Sequence, residues 1–180
     1  QMQRDLQSAN VLECSGGLLA CTNLITTDMV PAVATEVTKL LSHESATIRK
    51  KSIICLHKFY QLAPEVVTDL NDHVRRILCD KDPAVMGSCL NVIFALALEN
   101  PQECKDLVPS LVSILKQIND HRLPSDYDYH RVPAPWMQLM IIRILGVLGK
   151  GDATASSGMY EILNDAMKKA DTGINAGYAI

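Results

Sequence analysis

A shift of 37 residues lays much of this chain on itself. Under it Ile48 falls on Val85, Leu56 on Ile93, Pro64 on Pro101, and Asp69-Leu70 on Asp106-Leu107. One step earlier Val11 falls on Ile48 and Leu19 on Leu56, and three copies coincide at Val37, Val74 and Leu111. The triplets Leu40, Ile77, Ile114 and Leu41, Leu78, Leu115 keep that register. An apolar stripe recurs, not an identical motif. A unit this short cannot bury its own apolar face, so its neighbours must stack on it. The period therefore predicts an all-α chain, an α-solenoid of two-helix repeats.

The local patterns agree. In "ATIRKKSIICLHKFYQLA" the residues Ile48, Ser52, Cys55, Leu56, Phe59, Leu62 and Ala63 share one helical face. Pro64 cannot continue that helix and suits the first turn of the next. The following stripe, Val67, Leu70, Val74, Ile77 and Leu78, is narrower. Asp69, Asp72, His73, Arg75 and Arg76 occupy the other side, which predicts a wetter helix. Asp82 before Pro83 is placed to cap the next one. Helices are expected near 10–24, 29–42, 46–62, 65–79, 83–98, 103–119, 136–148 and 155–170, with no sustained strand alternation. They form HEAT- or armadillo-like repeats near 10–45, 46–80, 83–119 and 135–170, within a single segment, 1–180.

After Ile118 the register fails, and a shift of 52 restores it: Pro83 falls on Pro135, Val85 on Met137 and Leu111 on Leu163. The difference is a 15-residue insertion near 120–134, between two repeats. It leads into "LPSDYDYHRVPAPW", which places Tyr127, Tyr129 and Trp136 together in a chain only 4% aromatic. An ordered loop of that length needs apolar anchors to offset its ordering entropy. Tyr127, Tyr129 and Trp136 are therefore expected as structural anchors, buried against the flanking helices. Pro124, Pro133 and Pro135 stiffen the loop.

Several chemistries find little support. A net charge of −3 argues against a broad nucleic-acid surface, and no nucleic-acid partner is expected. The six cysteines contain no C-x-x-C pair and fall mostly in apolar helical patterns, reading as reduced core thiols. The apolar stretch 84–98 is short for a bilayer and contains Ser88 and Asn91. Asp126, Asp128 and His130 form D-x-D-x-H, without the oxygens and glycine that calcium needs. "LGKGD" (148–152) lacks the rest of a phosphate loop and reads as a helix stop. The five histidines are scattered, so no catalytic residue, cofactor or metal is expected, and the chain is not read as an enzyme. One basic run stands out. Arg49, Lys50 and Lys51, with Lys58 nearby, are candidates for contact with an anionic partner, against a merely solvated helix face. No secretory-leader pattern is read at the start. "QMQRDLQS" begins without a cap and "GINAGYAI" reads as the start of another helix, so an interior piece of a longer chain is expected.

"DYDYHRVPAPW" between two helical repeats resembles the D-Y-x-Y-x-x-V-P-A-P-W signature of the large adaptin subunits. "TIRKKSIICLHKFYQLAPE", "LCDKDPAVMGSCL" and "KDLVPSLVSILKQ" resemble the epsilon branch of the fourth heterotetrameric adaptor complex more than the alpha, gamma or delta branches. The similarity covers nearly the whole chain. It departs at "NAGYAI", where Tyr178 stands at an asparagine of the family pattern N-x-G-N-A-I. The resemblance implies an interior trunk segment of a vesicle-coat scaffold, partnered by sigma, beta and medium adaptin subunits. It also implies recruitment by an Arf-type GTPase to trans-Golgi network membranes, peripheral association from the cytoplasm, and cargo sorting into coated vesicles without clathrin. The repeats alone leave open another scaffold, such as a nuclear-transport receptor or a phosphatase-type regulatory subunit.

Overall fold

Prolines and polar caps divide the helices. The computed structural model describes residues 1–130 and 132–170, apart from the side chains of 155, 169 and 170. It begins with α1 (Met2–Leu6), α2 (Val11–Leu24), α3 (Val30–Leu40), α4 (Ala46–Leu62) and α5 (Leu70–Leu78). Then come α6 (Pro83–Glu99), α7 (Val108–Asn119), α8 (Pro135–Leu148) and α9 (Ala153–Ala170). Pro31, Pro109 and Pro135 stand in the first turns of α3, α7 and α8, where a missing N–H is tolerated. Asn10 caps α2 by accepting from Leu12 N at 2.9 Å. Asp82 caps α6 by accepting from Ala84 N at 2.8 Å, the role its place before Pro83 suggests.

Three boundaries differ from expectation. The helix expected near 103–119 is a 3-10 segment, Pro101–Leu107, that becomes α-helical only at Val108. Pro109 has no N–H to return to the preceding turn, so the α ladder restarts there. The helix expected from 65 begins at Leu70 instead. Ahead of it Val66 N bonds Ala63 O at 3.0 Å and Val67 N bonds Pro64 O at 3.3 Å, turns that take the backbone donors first. α1 was not expected, because five residues carry no readable period.

Burial refines the repeat register. Ile48, Ser52, Ile53, Leu56 and Phe59 of α4 correspond by 37 residues to Val85, Cys89, Leu90, Ile93 and Leu96 of α6, and all ten are buried. From α2 to α4 the step is 38: Cys14, Leu18 and Cys21 are buried like Ser52, Leu56 and Phe59. Leu19, expected to match Leu56, is 56% exposed. From α6 to α8 the step of 52 holds, since Met137, Ile141, Ile144, Leu145 and Leu148 are buried. From α7 to α9 it is 51, so Leu111 matches Ile162 and not Leu163. One-residue changes in the connecting loops account for these offsets, because the buried stripes are unbroken within each helix.

The chain divides into two compact units, with the boundary after Val92. In the first, α1 packs on α2 and α3, α2 and α3 pack on α4, and α4 packs on α5. Contact between helices two apart, α2 with α4, is the pattern of stacked helix pairs. Leu18, Ile48, Ile53, Leu56 and Phe59 are wholly covered. Each contributes about 1.5–3 kcal/mol of burial. α1 approaches α2 closely at Gly17, where a Cβ would stand 3.1 Å from Asp5 Cβ and 3.2 Å from Leu6 N. In the second unit α7 packs on α8 and α9, and the 3-10 segment Pro101–Leu107 packs on α8. Lys105 Nζ meets Asp152 Oδ2 at 2.6 Å. "LGKGD" is a helix stop, as expected: Gly149 caps α8 and Gly151 takes φ +72°. Five of the six cysteines are buried; Cys79, at the end of α5, is exposed. Among the described residues no helix is long and apolar enough to cross a membrane. "NAGYAI", with Tyr178, lies outside the described residues.

Candidate functional site

The basic run separates into two environments. Arg49 belongs to the buried stripe of α4, three residues before Ser52 and seven before Leu56, and is only 6% exposed. Its Nε donates to Asp80 Oδ2 at 2.7 Å and its second terminal nitrogen to Asp80 Oδ1 at 2.8 Å. The remaining terminal nitrogen donates to His43 O and Glu44 O, each at 2.8 Å. Asp80 Oδ1 also accepts from Asp82 N at 2.9 Å. The guanidinium thus ties the α3–α4 loop to the α5–α6 loop. Its hydrogen bonds hold the Asp80 carboxyl below its ordinary pKa, against the opposing effect of burial. Arg49 is therefore no candidate for an anionic partner: its charge is already matched and its donors are engaged. The sequence carried the sign of this in the helical period, which puts Arg49 on the buried face.

Lys50, Lys51 and Lys58 lie on the other side of α4, half-buried, and carry no ion pair among the described residues. Ile54 stands between Lys51 and Lys58 and is 40% exposed. Two of the scattered histidines serve local structure. His43 Nδ1 accepts from Ser45 N at 2.9 Å. His73 Nε2 lies 3.0 Å from Asp69 Oδ2, and its Nδ1 lies 3.3 Å from Arg76.

The insertion folds into a small hairpin. β1 (Asp128–Tyr129) pairs antiparallel with β2 (Val132–Pro133), with Tyr129 opposite Val132. His130 at the turn takes φ +48° and Ala134 takes φ +37°. Ala134 N donates to Tyr127 O at 2.9 Å, and Gln138 Nε2 donates to Pro133 O at 2.6 Å. Pro133, Ala134 and Pro135 are buried. The expected anchors are not. Tyr127 is half-buried, while Tyr129 and Trp136 are 55% and 50% exposed. Backbone bonds, the buried prolines and Gln138 fix the loop, which leaves the rings of Tyr129 and Trp136 largely exposed. Tyr129 instead stacks edge-on with His130, their centroids 4.3 Å apart. Asp126, Asp128 and His130 are exposed, and no group of three ligand-type side chains is placed to hold a metal among the described residues.

Comparison with known proteins joins these features. The family model "Adaptin N terminal region" matches residues 1–178. The AP-4 complex subunit epsilon of Arabidopsis thaliana is 44% identical over 99% of this chain, which spans 19% of that protein. The AP-4 complex subunit epsilon-1 of Mus musculus is 39% identical over 98% of this chain and 16% of its own length. The AP-1 complex subunit gamma of Dictyostelium discoideum is 28% identical over 98% of the chain. The chain therefore spans less than a fifth of the length of these epsilon relatives.

Proposed function

The chain belongs to the adaptin family, matched in its N-terminal region, and from this we propose that it is a scaffold segment of a vesicle-coat adaptor complex. The observation that carries the proposal is identity of 38–44% to AP-4 epsilon subunits along 98–99% of the chain. A role in assembly suits helix pairs that bury their apolar faces against neighbours. The role is that of a scaffold and not of an enzyme, a reading supported by the adaptin family match.

The finer reading follows the epsilon branch. The segment would sit in a trunk that assembles with sigma, beta and medium subunits. An Arf-type GTPase would recruit the complex to trans-Golgi network membranes, where it sorts cargo as a peripheral coat without clathrin. Co-expression of the full-length protein with the sigma subunit of its own complex should give a stable heterodimer. Deletion of 45–118 should abolish assembly, and assembly that survives would reject the scaffold role of these repeats. Location is tested separately, by imaging the tagged full-length protein while Arf activation is blocked. Retention on trans-Golgi membranes under that block would exclude recruitment by the GTPase.

A further inference from the structure

We propose that the α2–α4 face of the first unit is a docking surface for an amphipathic helix of another protein, one carrying carboxylates beside an apolar ridge. The charge of α4 points to such a partner. The helix has no acidic residue and four cations, in a chain of net charge −3. Asp80 matches Arg49. Lys50, Lys51 and Lys58 remain without an ion pair among the described residues, half-buried.

The apolar part lies beside them. On α2, Leu12 is 81% exposed and Leu19 is 56% exposed, with Gly16 between them facing open space. Cys55 of α4 meets Cys21 and Thr22 of α2 where the two helices pack. Cys55 follows Lys51 by one helical turn, and Thr22 follows Leu19 by about one turn. In the 38-residue register Leu12, Gly16 and Leu19 stand where Lys50, Ile54 and His57 stand on α4, so the outer flanks of the two packed helices share one side of the stack. Leu12 and Leu19 are seven residues apart, as are Lys51 and Lys58, each pair spanning about 10.5 Å or two turns. Two rows with this repeat, one apolar and one cationic, match the i, i+4, i+7 anchors and adjacent carboxylates of a single helix. Three half-buried lysines are few for a lipid surface, which rewards many protruding cations on a flat patch. The proposal rests on this face alone and is independent of the adaptor assignment.

The test starts from the full-length protein, immobilised and used to select from a displayed library of random 16-residue peptides. Recovered peptides should be acidic, with apolar residues at helical spacing. Their affinity, read by fluorescence anisotropy, should fall about tenfold or more in Lys51→Glu/Lys58→Glu and in Leu19→Ser, and should weaken with salt. Circular dichroism melts of both variants, matching the parent, would show that the fold is intact. Peptides without acidic residues, or peptides that bind the charge-reversed variant equally well, would overturn the proposal. So would lysine-dependent binding to phosphatidylserine vesicles with no peptide recovered, which would assign the face to lipid.

Discussion

Arg49 is buried with its charge because each of its three guanidinium nitrogens donates to a partner. Both side chains of the Arg49–Asp80 pair are under a tenth exposed. Removing one partner leaves the other charge stranded, a loss of about 3–5 kcal/mol. Arg49→Ala should lower the unfolding free energy by that order in urea titration, and Arg49→Met with Asp80→Leu should recover part of the loss. Indifference to Arg49→Ala would show that the clamp contributes nothing. The pair also sets a pH dependence. The folded pKa of Asp80 is depressed, first by the Arg49 hydrogen bonds. Its contribution is therefore fully present above the unfolded value, about 3.9. It is lost as pH falls through the lowered folded value. Asp80→Asn should make the decline in stability below about pH 4 shallower than in the parent, measured by urea midpoints at stepped pH. Two adjacent glycines give a second residue-scale test. Gly16 has nothing within 4 Å of an added Cβ, so Gly16→Ala should raise stability by up to about 1 kcal/mol. Gly17→Ala should lower it, because the new methyl meets the backbone of α1 at Leu6. A thermal melt in which both variants move the same way would refute that close approach.

At the scale of elements, helical period proved a better guide than residue type. α4 runs over 46–62 as its sequence stripe implies, because seventeen residues give the period several turns to declare itself. α5 is shorter than its stripe, since Pro64 and the turn bonds after it delay the start of the helix to Leu70. Trp136 shows the same rule at the insertion. The buried stripe of α8 is Met137, Ile141, Ile144, Leu145 and Leu148, and Trp136 falls off it whatever its size. The hairpin was not legible, because two-residue strands have no alternation and the left-handed residues His130 and Ala134 carry no glycine to mark them. The basic run was read as one surface for a related reason: adjacent residues on a helix point about 100° apart, and Arg49 faces inward while Lys50 and Lys51 do not. Substitutions in the insertion separate the two kinds of support. Trp136→Ala should cost only about 1 kcal/mol, well below the loss of a buried aromatic. Gln138→Ala strips the buried Pro133 carbonyl of its donor and should cost about 1–3 kcal/mol. A melt in which Trp136→Ala is the more damaging of the two would restore the ring as the anchor.

For the whole chain, stacked helix pairs imply that stability is assembled locally. Each pair is held by its neighbours, so a lesion weakens the repeats beside it before those further along. The boundary between the two compact units falls inside α6, between Val92 and Ile93. Arg49 and Asp80 belong to the first unit; Trp136, the single tryptophan of the chain, belongs to the second. Tryptophan fluorescence therefore follows the second unit, while far-UV circular dichroism follows the helices of both. In urea, Arg49→Ala should move the dichroism curve to lower concentration and broaden it. The fluorescence midpoint should move by less than half as much. Equal shifts in both signals would mean that the 180 residues unfold as one block, in which the loss of a single clamp is felt everywhere. Unequal shifts would place the cooperative unit at the scale of neighbouring helix pairs, where the repeat in the sequence first puts it.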